Sequence, residues 1–267
     1  MMKLKRFALV ICSVVMMVTL FSATAMADTQ RTGKKLLKSV EIPIDSATNI
    51  VSSEKSSKKL RLSQYDDNGV KVYTVEGANT TEEKKRAFEI LNNFMESGEV
   101  QQVTVSVNET NKEFYGNEFG YSQSNSNVMG YTWARYVAGK NFGSNSSVYD
   151  KTWGGSSGSW GGSGTAAYIK LNQGVTVNVS GASGTLTIGW PPSYSVTATS
   201  SSSTASWSSE ATTGVNVLGA EHQLVEYNRD DVQRGKITSC VYTDVADVKV
   251  SSTVYKATSS VRFTNGL

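Results

Sequence analysis

Acid–base or nucleophilic chemistry in this 267-residue chain would have to run through few side chains. His222 is the only histidine, and Cys240 is the only cysteine beyond the first 27 residues. A Ser-His-Asp relay needs that single base beside a nucleophile, and the expectation is that no G-x-S-x-G elbow accompanies the many serines. A Cys240–His222 pair is conceivable on neighbouring strands. However, Cys240 sits in the alternating run "KITSCVYT", where a small buried apolar side chain is the natural reading. One histidine with no second His or Cys cluster is a poor zinc site. Paired carboxylates could hydrolyse a glycoside, and Glu221, Glu226, Asp230 and Asp231 are close in sequence, with Glu210 not far. Arg229 and Arg234 flank the two aspartates, which reads as a solvated turn between strands. No phosphate loop, dinucleotide fingerprint or calcium loop is present. The expectation is therefore no catalysis and no cofactor, with a secreted carboxylate-dependent hydrolase the last of three readings.

The elements that would position these groups begin with the leader. Lys3, Lys5 and Arg6 precede an apolar stretch from Phe7 to Phe21, and Ala25-Met26-Ala27 is a small-x-small site. This is the layout of a secretory signal peptide over 1–27, cleaved after Ala27, with an extracellular destination. The apolar stretch is shorter than the ~20 residues of a spanning helix. Loss of the leader lowers the 26 Lys and Arg by three to 23, matching the 23 Asp and Glu. A neutral chain lacks the cationic surplus that nucleic acid binding requires. Cys12 leaves with the leader, so Cys240 has no intramolecular disulfide partner.

Residues 28–59 are rich in Lys and Ser and read as a basic flexible arm. Residues 60–108 read as a small α+β unit of the order ββαβ. Two alternating runs flank Asp67-Asn68-Gly69, a two-residue hairpin signature. Thr80 and Glu83 then form a capping box ahead of a helix whose face carries Ala87, Ile90, Leu91, Phe94 and Met95 and which stops near Gly98. Val103, Val105 and Val107 alternate as a closing strand. Residues 109–128 read as a linker. From 129 to 267 short strands recur between turn residues, giving a mainly β protein with an antiparallel sandwich or barrel-like domain.

Within that domain, Thr152 to Ser209 holds a single charged side chain, Lys170, and four of the five tryptophans. Three functions suit such a stretch. Ser and Thr serve as the water-facing side of ordinary strands, with the Gly/Ser run 154–164 a flexible loop. Alternatively, aromatic faces beside hydroxyls and amides bind uncharged ligands. Trp153 and Trp160, in Gly/Ser surroundings, would be exposed contacts, with Tyr149 and Tyr168 beside them. Trp133, Trp190 and Trp207 read as core. Lastly, the stretch alternates as membrane hairpins do, with Val175, Val177 and Val179 on one arm and Leu186, Ile188 and Trp190 on the other. These arms fall short of a spanning strand. The favoured reading is an exported, non-catalytic interaction protein engaging a cell-surface glycan or protein. A membrane-active pore former is second.

Overall fold

The computed structural model describes residues 34–44, 58–100, 112–138, 149–180, 188–189, 193–199, 201–228 and 236–264. Residues 34–264 belong to one compact unit. The chain is mainly β, with two antiparallel sheets forming an open sandwich rather than a closed barrel. The strands are β1 (Lys35–Pro43), β2 (Lys59–Asp67), β3 (Val70–Glu76), β4 (Lys112–Ser122), β5 (Asn125–Ala138), β6 (Tyr149–Trp160) and β7 (Tyr168–Ser180). They continue with β8 (Ile188–Gly189), β9 (Ser195–Ala198), β10 (Ser202–Ser208), β11 (Val217–Asn228), β12 (Lys236–Val250) and β13 (Thr253–Thr264). The helix α1 is Thr81–Val100.

The larger sheet runs β1-β2-β3-β11-β6-β5-β4, with β8 paired to β11, and the smaller runs β13-β12-β7-β10-β9. Helix α1 covers one face of the larger sheet. Phe88, Leu91 and Met95 pack there with Tyr73, Trp133, Trp153 and Val217. The opposite face meets the smaller sheet through two apolar clusters. One contains Trp160, Ile169, Leu171, Trp207 and Leu218. The other contains Tyr136, Val175, Val177, Cys240 and Phe263.

Several expectations hold locally for the physical reasons given. The β2–β3 turn places Asn68 at φ +54° and Gly69 at φ +86°, the left-handed pair that a tight hairpin needs. Glu83 N–H donates to Thr80 Oγ1 (3.2 Å) and Thr80 N–H donates to Glu83 Oε2 (3.1 Å), so the capping box is formed.

Other expectations are corrected. The arm is not wholly loose, because Lys35–Pro43 is an edge strand on β2. Its lysines face water while the backbone is tied into the sheet. The linker contains β4, paired along its length with β5. The hairpin β2–β3 is not confined to a separate unit, because β3 pairs with β11 far along the chain. Helix α1 continues through Gly98 to Val100. The valines at 103, 105 and 107 lie outside the described residues. The Gly/Ser run is a loop only from 161, since β6 extends to Trp160 and is an inner strand of the larger sheet. A Cβ on Gly154 would lie 2.2 Å from the Trp133 carbonyl oxygen, so only glycine fits there. After β6 the run is pinned as well: Lys84 Nζ, buried under α1, donates to the Gly162 oxygen (2.5 Å) and to the Gly164 oxygen.

Candidate functional site

Between the two apolar clusters of the sandwich lies one polar rung crossing both sheets. On β7, Gln173 separates Leu171 from Val175; on β12, Asp244 separates Ala246 from Tyr242; on β13, Ser259 separates Ala257 from Val261. Facing them from the larger sheet are Thr132 on β5, Thr152 and Ser156 on β6, and His222 on β11. His222 Nε2 is 2.9 Å from Asp244 Oδ2. Thr132 donates its hydroxyl to the same oxygen (2.7 Å) and therefore accepts from Ser259 (2.6 Å). Gln173 Nε2 donates to Ser156 Oγ (2.9 Å) and to the Ala220 oxygen (3.1 Å), while Tyr194 donates to Gln173 Oε1 (3.1 Å). Thr152 bonds the Tyr242 hydroxyl, and burial above all holds that phenol protonated well above the ordinary range.

This rung bolts the sheets together, and its geometry is not that of a nucleophile beside a base. His222 is 2% exposed, the Thr132 hydroxyl bonds Asp244 rather than the imidazole, and the Ser259 hydroxyl bonds Thr132. Among the described residues His222 Nδ1 has no hydrogen-bond partner. The expectation of no G-x-S-x-G spacing is corrected, because Gly154-Gly155-Ser156-Ser157-Gly158 has it. These residues lie in the middle of β6 instead of at a strand-to-helix turn, and Ser156 is buried against Gln173. Cys240 is buried in the apolar cluster that holds Tyr242 and Phe263. Glu221 points to the helix side of the sheet, bonded by the Tyr73 hydroxyl and 3.0 Å from Lys71 Nζ. Glu210 is exposed, the side chain of Glu226 is not described, and Asp230 and Asp231 lie outside the described residues. Among the described residues no three His, Cys, Asp or Glu side chains cluster as metal ligands would.

The anticipated contact residues are placed differently from expectation. Trp153 (4% exposed) packs under α1 and Trp160 (6% exposed) packs between the sheets, so neither is a surface contact. The surrounding glycines do not strip these rings of neighbours; they let the layers close on them. Tyr168 is half-buried, with Lys249 Nζ 5.7 Å from its ring centre, and the side chain of Tyr149 is not described. Trp133 and Trp207 are core, and Trp190 lies outside the described residues. Val175, Val177 and Val179 face the larger sheet, and β7 pairs with β12 and β10 rather than with the arm carrying Leu186 and Ile188. Leu186 lies outside the described residues, and Ile188 pairs with Tyr227 on β11. The later half of the stretch does turn as a hairpin, β9 on β10. No helix among the described residues is long and apolar enough to cross a membrane.

The exposed aromatic surface is on β4. Tyr115 (46%), Phe119 (49%) and Tyr121 (58%) alternate along one face of this edge strand, with Asn117 among them. The cause lies on the other face, where β13 presses so closely that a Cβ on Gly120 would lie 2.0 Å from the Thr258 oxygen. On the inward side Gly116 and Gly120 lie against β13 and Phe114 packs on Tyr136 and Phe263, while Tyr115, Phe119 and Tyr121 take the outward side. They are organised rather than loose. Phe119 packs against Tyr131 (4.5 Å between ring centres) and Phe88 (6.3 Å). Asn117 Nδ2 donates to Tyr115 Oη (2.9 Å), which donates to Glu96 Oε2 (2.7 Å), and Tyr131 donates to Glu96 Oε1. The Arg135 guanidinium lies 5.3 Å from the Tyr115 ring centre. Burial, then the Glu96 carboxylate, raises both phenols above their ordinary range, so both remain hydrogen-bond donors.

The sequence signal for this surface is the run Phe114-Tyr115-Gly116-Asn117-Glu118-Phe119-Gly120-Tyr121, glycine and aromatic in alternating register. A period-two pattern that places apolar residues on the inward face does not find it, because here three of the rings lie outward. No protein-family model matches the chain, and no curated protein sequence matches it.

Proposed function

We propose that this is an exported, non-catalytic interaction protein that holds an extended, uncharged polysaccharide against the aromatic face of β4. The observation that carries the reading is the alignment of three exposed rings on one strand face, one of which, Tyr115, is bonded to the Asn117 amide and the Glu96 carboxylate. Tyr and Phe offer large, rigid contact area at low entropic cost, and Asn117 and Glu96 supply acceptors for hydroxyl groups. From Tyr115 to Tyr121 the face is about 20 Å long at ~3.4 Å per residue, which suits an extended polymer more than a single ring. Glu96 and Arg135 balance each other within the patch, and this favours a neutral ligand. The secretory leader and the balanced charge of the remaining chain support a site of action outside the cell.

Native electrophoresis through gels containing soluble uncharged polysaccharides tests the proposal. Wild type should be retarded by at least one polymer, and Phe119→Ala with Tyr121→Ala should migrate as in an empty gel. Free migration of wild type through every polymer would overturn it.

A further inference from the structure

We propose that the crevice between the β2–β3 turn and the β9–β10 hairpin is a second binding site, for a neutral sugar or polyol of one or two rings. It is an open crevice of about 450 Å³, lined by Asn68, Ser193, Ser195, Ser206, Trp207 and Ser208. Small-ligand sites of about 300–1,000 Å³ are usual. The site is distinct from the β4 face. β4 is the fourth strand along from β3 in the larger sheet, roughly 19 Å away at ~4.8 Å per strand.

The lining carries no charge, and all but Asn68 comes from the charge-poor stretch that otherwise serves as strand faces. Ser195 and Ser206 sit opposite each other on paired strands, and neither hydroxyl bonds another described residue. Ser208 donates to Asn172 Oδ1 (2.8 Å) and retains its acceptor lone pairs. Asn68 Nδ2 is held by Asp67 Oδ1 (3.2 Å), which fixes the amide and leaves its oxygen as an acceptor. Trp207 is 7% exposed, with its ring anchored in the apolar cluster between the sheets. Its indole N–H makes no hydrogen bond to any described residue, although it borders the crevice.

These features select a ligand class. An ion would lose water without meeting an opposite charge. An apolar guest would strip water from the serine hydroxyls and return no hydrogen bonds. A ring bearing several hydroxyls meets both requirements, since it exchanges hydrogen bonds with serine, asparagine and indole N–H and lays its C–H face on the tryptophan edge.

Saturation-transfer NMR on the full chain with D-glucose and with cellobiose tests this. Transfer to at least one sugar is expected in wild type, and equally in Tyr121→Ala, which separates this site from β4. Ser206→Leu, which projects into the crevice from an exposed position, should weaken binding about tenfold or more. Asn68→Gly keeps the left-handed turn while removing the acceptor, so it provides a second variant should Ser206→Leu fold poorly. No transfer to either sugar in wild type overturns the proposal, as does transfer unchanged in a folded variant.

Discussion

Strands β4 and β6 flank β5 on its two sides and invert what their compositions suggest. β6 is Gly, Ser and Thr with two tryptophans, and its residues from Thr152 to Trp160 are all buried. β4 carries four aromatics, and three of them, Tyr115, Phe119 and Tyr121, face out. Each outcome follows from what lies nearest the glycines. On β6, a Cβ on Gly154 would meet the Trp133 backbone of β5 in the same sheet and one on Gly158 would meet the Ala246 side chain of the smaller sheet, while Trp153 and Trp160 fill the space beside them. On β4, the inward side at Gly120 is closed off by the Thr258 backbone of β13.

The contrast can be broken from inside the sandwich first. Asp244→Ala leaves His222 buried without its carboxylate and should cost about 3–5 kcal/mol, read as a shift in denaturant midpoint. Replacing both members with apolar residues should recover much of that loss, because the pair's desolvation cost disappears with it. A loss below ~1 kcal/mol for the single variant would mean that the rung is not a tie between sheets.

Next in size is Gly154→Val on β6, which drives a side chain into the Trp133 backbone and should cost about 3 kcal/mol or more. The same substitution at Gly120 on β4 should be comparably damaging, though that strand is at the sheet's edge. Thermal melts of the two variants would compare crowding within one sheet, at Gly154, with crowding against the other sheet, at Gly120.

Smaller, and pH-dependent, is the α1 cap. Lys58, 2.6 Å away, is the main cause that lowers Glu83 from 4.5 to about 2; burial opposes it, and the N–H groups of Asn79 and Thr80 add to it. A carboxylate depressed in the folded state stabilises in full above its unfolded pKa. That stability should be present above pH 4.5 and fade as pH falls toward 2. Glu83→Gln should flatten that part of the acid limb of a stability–pH profile. Thr80→Ala removes the other half of the box and should cost about 1 kcal/mol at neutral pH.

The smallest effect on stability belongs to Tyr121→Ala, one residue from Gly120. It should change stability by less than about 0.5 kcal/mol while weakening retention by polysaccharide. A large destabilisation would recast the β4 rings as packing residues.

Much of the fold was legible because its signals are local. The Asn68-Gly69 turn, the Thr80–Glu83 box and the Val175-Val177-Val179 alternation each require only neighbours in sequence. What stayed hidden depends on distant partners. Nothing within 154–160 says that helix and sheet will close on it, and nothing within 115–121 says that β13 will claim the glycine side. The exposed rings lie outside the Trp-rich stretch from Thr152 to Ser209, so tryptophan content does not point to them. His222 and Cys240 were read correctly as strand and core residues, but the carboxylate that holds His222 comes from another sheet.

The pairing of β3 with β11 sets an order of events. Thr74 meets Leu218, so the N-terminal hairpin has no lasting neighbour on that side until the chain has been synthesised past residue 220. The same strand supplies the partner of β6. Closure of the larger sheet is thus a late, long-range step, of the kind that slows folding because loop entropy is spent before contacts repay it. For most of its synthesis the nascent chain therefore lacks the strand that ties its two ends into one sheet, and its native topology is completed only near the end of translation.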